Sequence, residues 1–230
     1  MLDGYRFPDY TDPKWMEGAE KGFEGSEGKY TMAKVFHLLF ERMHMMRGFE
    51  NLLADLYLEP EWTGRLADKI VDCQVALIES LAKKFAGKID GIRFTDDWGT
   101  ELNTFISLDM FKSFFMPRYK RIFGACKAAG WHVWLHSCGH INDFILPLVE
   151  CGVDVFNLQQ PRTLGFEEFG RKFAGKACFS SLCDIQLTLP GASREEIRNE
   201  AELLLSSWAM ENGGFILTDY DDNAAIGVTM

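Results

Sequence analysis

No apolar run in the sequence approaches the roughly 20 residues that a membrane-spanning helix needs, so no helical span is expected. Basic side chains are also in short supply: 24 Lys and Arg stand against 34 Asp and Glu, a formal net charge of −10. A surface of that sign repels phosphate backbones and anionic headgroups, so neither nucleic acid nor membrane is an expected partner. The opening residues Met1-Leu2-Asp3-Gly4-Tyr5-Arg6 lack the basic and apolar regions of a secretion signal, which points to the cytoplasm. No Gly-x-Gly-x-x-Gly follows any apolar segment, which weighs against a dinucleotide-binding fold. Internal repeats and low-complexity tracts are missing too.

The cysteines Cys73, Cys126, Cys138, Cys151, Cys178 and Cys183 are scattered through apolar helix and strand contexts. That distribution suits reduced, mostly buried thiols better than a disulfide framework. Only Cys138 lies in a stretch that looks built around it.

What is present is a large core and a regular alternation. Hydrophobic residues make up 47% of the 230, with 19 Phe among them, enough for one large domain. Residues 1–29 are rich in Gly, Asp, Glu and Pro without a sustained period, and read as an N-terminal loop or extension to a domain over 30–230. Strands are predicted at 30–38, 91–95, 132–136, 153–157, 177–181 and 215–218. Helices are predicted at 41–58, 61–85, 142–150, 166–173 and 194–210, the last opened by the capping box Ser193-x-x-Glu196. A further helix, capped by Ser107, is bent or divided at Pro117 and ended by Gly130.

Strands separated by helices pair in parallel. Polar residues follow several different strands: Asp96 and Asp97, His136 and Cys138, Asn157 and Gln160, Asp184, Asp219. A barrel collects its active site from many strand ends in this way, so the predicted fold is α/β, a (β/α)₈ TIM-type barrel.

Two clusters can carry chemistry. In Trp131-His132-Val133-Trp134-Leu135-His136-Ser137-Cys138-Gly139-His140 a buried strand ends in an imidazole and a thiol two residues apart. Such a pair can face one side and hold zinc, with Gly139 turning the backbone tightly beneath it. The same spacing also fits a buried Cys beside a His bonded to backbone. In Phe94-Thr95-Asp96-Asp97-Trp98-Gly99 two carboxylates adjoin, so one of them needs a partner, a hydrogen-bond network or a raised pKa. Either is a candidate general acid/base or a carboxylate orienting a metal-bound His; alternatively Asp97 bonds loop amides while Trp98 packs beneath.

With these motifs the chain resembles the uroporphyrinogen decarboxylase-like superfamily. The matching pieces are Phe40-Glu41-Arg42, Arg47-Gly48-Phe49-Glu50, Asp96-Asp97-Trp98-Gly99, Ser107-Leu108-Asp109-Met110, Pro117-Arg118-Tyr119-Lys120 and His136-Ser137-Cys138-Gly139. They continue in order through Gly152-Val153-Asp154-Val155-Phe156-Asn157, Gln160 and Gly213-Gly214-Phe215-Ile216-Leu217. The resemblance is stronger to the branch of cobalamin-dependent methyltransferases and demethylating enzymes than to the decarboxylases of porphyrin biosynthesis.

In that branch a His-x-Cys pair and a later Cys hold a zinc that activates a thiol, and His136 and Cys138 match the first two ligands. After the strand at 215–218 the sequence has Asp219-Tyr220 in place of the later Cys. The resemblance therefore implies a metal site of His136, Cys138 and Asp219, with Asp97, Asp96 and Tyr220 as catalytic residues. Asn157 and Gln160 fall to cofactor binding. The implied cofactors are zinc and a cobalamin methyl carrier on a separate corrinoid protein; the implied substrate is a small-molecule methyl donor or acceptor. Against the family the barrel looks shortened at both ends, so either the remaining segments pack in an altered way or a partner or a homo-oligomer covers the gap. Two alternatives stand beside this reading: a decarboxylase-type lyase using Asp96 or Asp97, and a degenerate, non-catalytic barrel that binds a corrinoid or a partner.

Overall fold

The computed structural model describes residues 4–228, which divide into two units: residues up to 96 with 108–134, and 97–107 with 135 onwards. In the first unit β1 (Met32–Val35) pairs in parallel with β2 (Gly91–Thr95), Met32 lying beside Gly91 and Val35 beside Phe94. Helices α1 (Phe40–Arg47), α2 (Phe49–Leu58) and α3 (Pro60–Lys84) connect them. The single helix predicted over 41–58 is two helices, because Gly48 adopts φ 89° and ψ 140°, which no helix accommodates. Pro60 then opens α3, where a missing N–H costs nothing.

After the short α4 (Leu108–Met110) comes a π-helical turn, Phe111–Phe115, and then α5 (Met116–Ala128). Pro117 has no N–H to continue the regular ladder, and Met116 N–H reaches back to Phe111 instead. The core of this unit is aromatic: Tyr119 stacks between Phe111 (5.8 Å) and Phe123 (5.4 Å), and all three are fully buried. Before β1, residues predicted as loop contain two short 3₁₀ helices, Pro13–Met16 and Ala19–Phe23, with Met16 buried.

In the second unit β4 (Val155–Leu158), β5 (Cys178–Ser181) and β6 (Phe215–Leu217) pair in parallel. Their helices are α6 (Asn142–Cys151), α7 (Pro161–Leu164), α8 (Phe166–Phe173), α9 (Thr188–Gly191) and α10 (Arg194–Trp208). All four residues of β4 are buried, as expected for a parallel strand covered on both faces. Phe169 of α8 packs on Trp208 of α10 at 4.4 Å and on Phe179 of β5 at 5.0 Å. The predicted capping box is present: Ser193 N–H donates to Glu196 Oε2 at 2.8 Å and Glu196 N–H to Ser193 Oγ at 3.3 Å.

The chain passes from the first unit into the second along β3 (His132–His136). Parallel strands alternating with helices in each unit give the predicted α/β class, in keeping with a (β/α)₈-type fold. Among the described residues no helix is long and apolar enough to cross a membrane.

Candidate metal centre

Val133 and Leu135 of β3 are fully buried, whereas His136, at the strand end, keeps 12% of its side chain exposed. Its Nε2 lies 3.4 Å from Cys138 Sγ and 3.7 Å from Asp97 Oδ1. One ligand atom from each of these three residues falls within 4.8 Å of the others. Zinc bonds of about 2.0–2.3 Å in a tetrahedron put neighbouring ligand atoms about 3.3–3.8 Å apart. Both His136 distances fall in that range, and a nitrogen, a sulfur and a carboxylate oxygen form a set zinc accepts. The three residues fit the ion.

The orientation of His136 is imposed from outside the cluster. Asn157 Nδ2 lies 3.3 Å from the main-chain oxygen of Ser180, which can only accept, so the amide nitrogen faces Ser180. Asn157 Oδ1 consequently faces His136 Nδ1, 2.9 Å away, and must receive a proton from it. The remaining nitrogen, Nε2, presents its lone pair toward Cys138 and Asp97. A histidine that ligates a metal commonly has its other nitrogen held in this way.

The loop bearing Cys138 is fixed to the loop after β2 by backbone contacts. Cys138 N–H donates to Asp97 Oδ1 at 2.8 Å, Trp98 N–H to Ser137 Oγ at 3.0 Å, and His140 N–H to Thr100 O at 2.7 Å. Gly139 N–H donates to Gln160 Oε1 at 2.8 Å. The two loops approach so closely that a Cβ on Gly139, itself at φ 81°, would stand 2.2 Å from Gly99 O. A Cβ on Gly99 would stand 2.8 Å from His140 N, so each side of the contact needs glycine.

Asp97, His136, Cys138, Asn157 and Gln160 are thus brought together, but Asp96 is not. Fully buried, Asp96 accepts N–H bonds from Leu39 (3.0 Å), Phe40 (3.1 Å) and Glu41 (2.7 Å) and the Tyr119 hydroxyl bond at 2.5 Å. It caps α1, whose N-cap Leu39 has no side-chain acceptor of its own. Burial pushes its pKa up to about 7, outweighing the donors that pull it down. Asp219 is exposed and its Oδ1 accepts the N–H of Tyr220 at 2.8 Å. Among the described residues the group that could hold a metal is His136, Cys138 and Asp97, and Asp219 is outside it. Cys178 and Cys183 are outside it as well, with thiols pushed up in pKa by burial.

The sequence holds no obvious signal for Ser180, whose contribution is a main-chain oxygen. The capping role of Asp96 does leave one: a helix start at Phe40 with no Ser, Thr, Asp or Asn before it needs an acceptor from elsewhere.

A family model for uroporphyrinogen decarboxylase (URO-D) matches residues 40–218. The chain belongs to the URO-D family. Among curated proteins no match is found. Among solved structures, the URO-D chain is similar to a protein described as a sporulation-specific glycosylase, ydhD from Bacillus subtilis, at 9% identity and a TM-score of 0.33. That alignment covers 93% of this chain and 56% of the other, so the chain spans little more than half of that protein. It is also similar to native xylanase 10B from Thermotoga maritima, at 11% identity and a TM-score of 0.41, over 90% of this chain and 79% of that one.

Proposed function

We propose that this URO-D family chain is a metal-assisted methyltransferase or demethylase whose zinc is held by His136, Cys138 and Asp97. The observation that carries the reading is the convergence of three ligand atoms of zinc-binding type within 4.8 Å, on a histidine whose tautomer is already set. When bound, zinc supplies a Lewis acid that favours the deprotonated form of a substrate thiol or hydroxyl at its remaining position. The protein's own part is positional. Asn157 keeps the His136 proton on Nδ1, the Cys138 amide steadies Asp97, and the paired glycines hold both loops at one distance. Asp97, with 38% of its side chain exposed, leaves its side of the cluster open to an incoming small-molecule methyl donor or acceptor.

A cobalamin does not find a cradle in these residues. Asn157 is buried between His136 and Ser180, and Gln160 spends its carbonyl on Gly139, so neither is arranged to hold a corrinoid. The methyl carrier that this reading needs is assigned to a separate corrinoid protein, and no step is derived through it.

Metal analysis tests the proposal. After equilibration with zinc and removal of the excess, the wild-type chain should retain near-stoichiometric metal. His136→Ala, Cys138→Ser and Asp97→Asn should lose it, and Asp219→Asn should keep it. A wild-type chain that retains no zinc sinks the reading; zinc lost with Asp219→Asn but kept with Asp97→Asn moves the third ligand to the end of β6. The family match also keeps a second reading in view, metal-free decarboxylation of a porphyrinogen. Asp96 is sealed beneath α1, so that chemistry falls to Asp97 alone. Product formation from uroporphyrinogen by chelator-treated protein would establish it.

A further inference from the structure

The first unit contains a cleft that the metal centre does not use. A cavity of about 550 Å³ lies between the N-terminal segment, with Tyr5, Phe7 and Tyr10, and α3, with Arg65, Lys69 and Cys73. An adjoining cavity of about 180 Å³ shares the three aromatics and Cys73 and extends to Arg42 and Met45 of α1. Cys73 Sγ, 3.7 Å from Pro8 O, links the segment to α3.

Cations outnumber acids around this cleft, Arg42, Arg65 and Lys69 against Asp9 and Asp72. Arg42 spends Nε on His37 O and one terminal nitrogen on Phe36 O, both at 2.9 Å, and forms no ion pair among the described residues. Arg65 and Lys69 form no ion pair among the described residues. The two acids of the lining are engaged: Asp9 by Thr11 (3.0 and 2.6 Å) and Asp72 by Arg121 at 2.8 Å. Arg42 and Lys69 both lie near enough to act on the Cys73 thiol, as do Asp72 and Asp9, and burial with Asp72 pushes that thiol up in pKa. With Asp72 paired to Arg121, the three cations of the lining face the aromatic walls and one remaining acid, Asp9, an excess of positive charge that suits an anion.

We propose that this cleft binds a small aromatic carboxylate, its ring against Tyr5, Phe7 and Tyr10 and its anion between Arg42, Lys69 and Arg65. The larger cavity falls in the range of about 300–1,000 Å³ typical of small-molecule sites. Planar side chains suit a planar ligand, and a guanidinium fork suits a carboxylate.

The test uses the full chain with 1-naphthoate and its uncharged analogue 1-naphthylmethanol, followed by backbone amide shifts and by calorimetry. Naphthoate should shift the amides of Tyr10, Lys69 and Cys73 and bind at least tenfold more tightly than the alcohol. Arg42→Gln and Lys69→Gln should each weaken it severalfold. Because Arg42 also secures the turn at Phe36–His37, the exposed pair Arg65→Gln with Lys69→Gln keeps the test decisive if the Arg42 variant fails to fold. Equal binding of acid and alcohol, undiminished binding in the Arg65/Lys69 double variant, or no binding at millimolar naphthoate would each overturn the proposal.

Discussion

Asp96 gives the most quantitative handle on this fold. Its carboxyl is fully buried, and its pKa stands at about 7 against an ordinary 3.8. At about 1.4 kcal/mol per pKa unit that gap corresponds to about 4 kcal/mol. Below pH 3.8 both folded and unfolded chains carry the proton. Between there and pH 7 the unfolded chain releases it while the folded chain keeps it, so stability falls as pH rises. Above 7 both are ionised and the loss is complete. Between pH 4.5 and 8 the loss should be about 3 kcal/mol, a sizeable part of the roughly 5–15 kcal/mol that holds a typical domain together.

Asp96→Asn isolates this contribution. The amide cannot ionise, so the variant lacks the pH dependence, but its NH₂ group opposes one of the N–H donors that the carboxylate now accepts from Leu39, Phe40 and Glu41. One orphaned donor costs about 1–3 kcal/mol. The variant should therefore be the less stable protein at pH 4.5 and draw level with or pass the wild type by pH 8. Urea unfolding of both proteins across that range, read as the difference between them, cancels the other titrating groups. A difference that stays flat, or that grows with pH, would refute the reasoning. It would mean that three amides and Tyr119 hold Asp96 ionised throughout.

Two further outcomes follow from the metal centre. Asn157→Leu removes the acceptor for His136 Nδ1–H and should weaken zinc binding about 10–100-fold in a chelator competition. Asn157→Asp, which restores an acceptor, should recover part of the loss; equal affinity in the leucine variant would remove the orienting role. Gly139→Ala places a Cβ 2.2 Å from Gly99 O at φ 81°. It should cost at least about 2 kcal/mol in thermal unfolding, and a loss below about 0.5 kcal/mol would show that the two loops can separate freely.

The different fates of Asp96 and Asp97 show how far the sequence could be read. Adjacent carboxylates at a strand end announced that the two could not share one environment, and the alternation of side chains along a strand sends neighbours to opposite sides. What the pair alone could not reveal was which one faced the site. That depended on Leu39, which leaves the start of α1 without an acceptor, and on Tyr119, which lies 23 positions from Asp96 in the chain. The capping box at Ser193 was legible because all of its partners lie within one turn. Gly48 was not, since a glycine is tolerated within a helix and only its φ of 89° shows that the chain breaks there. The same limit governs the metal centre. His136 and Cys138 stand two residues apart and could be paired on sight, whereas Asp97 reaches them through hydrogen bonds and a glycine-to-glycine contact between loops 40 positions apart. In the sequence Asp219 looked the natural third donor because family order placed it there. In the structure the carboxylate grouped with His136 and Cys138 is Asp97, whose oxygen already holds the Cys138 amide at 2.8 Å, and the proposed donor set follows that proximity.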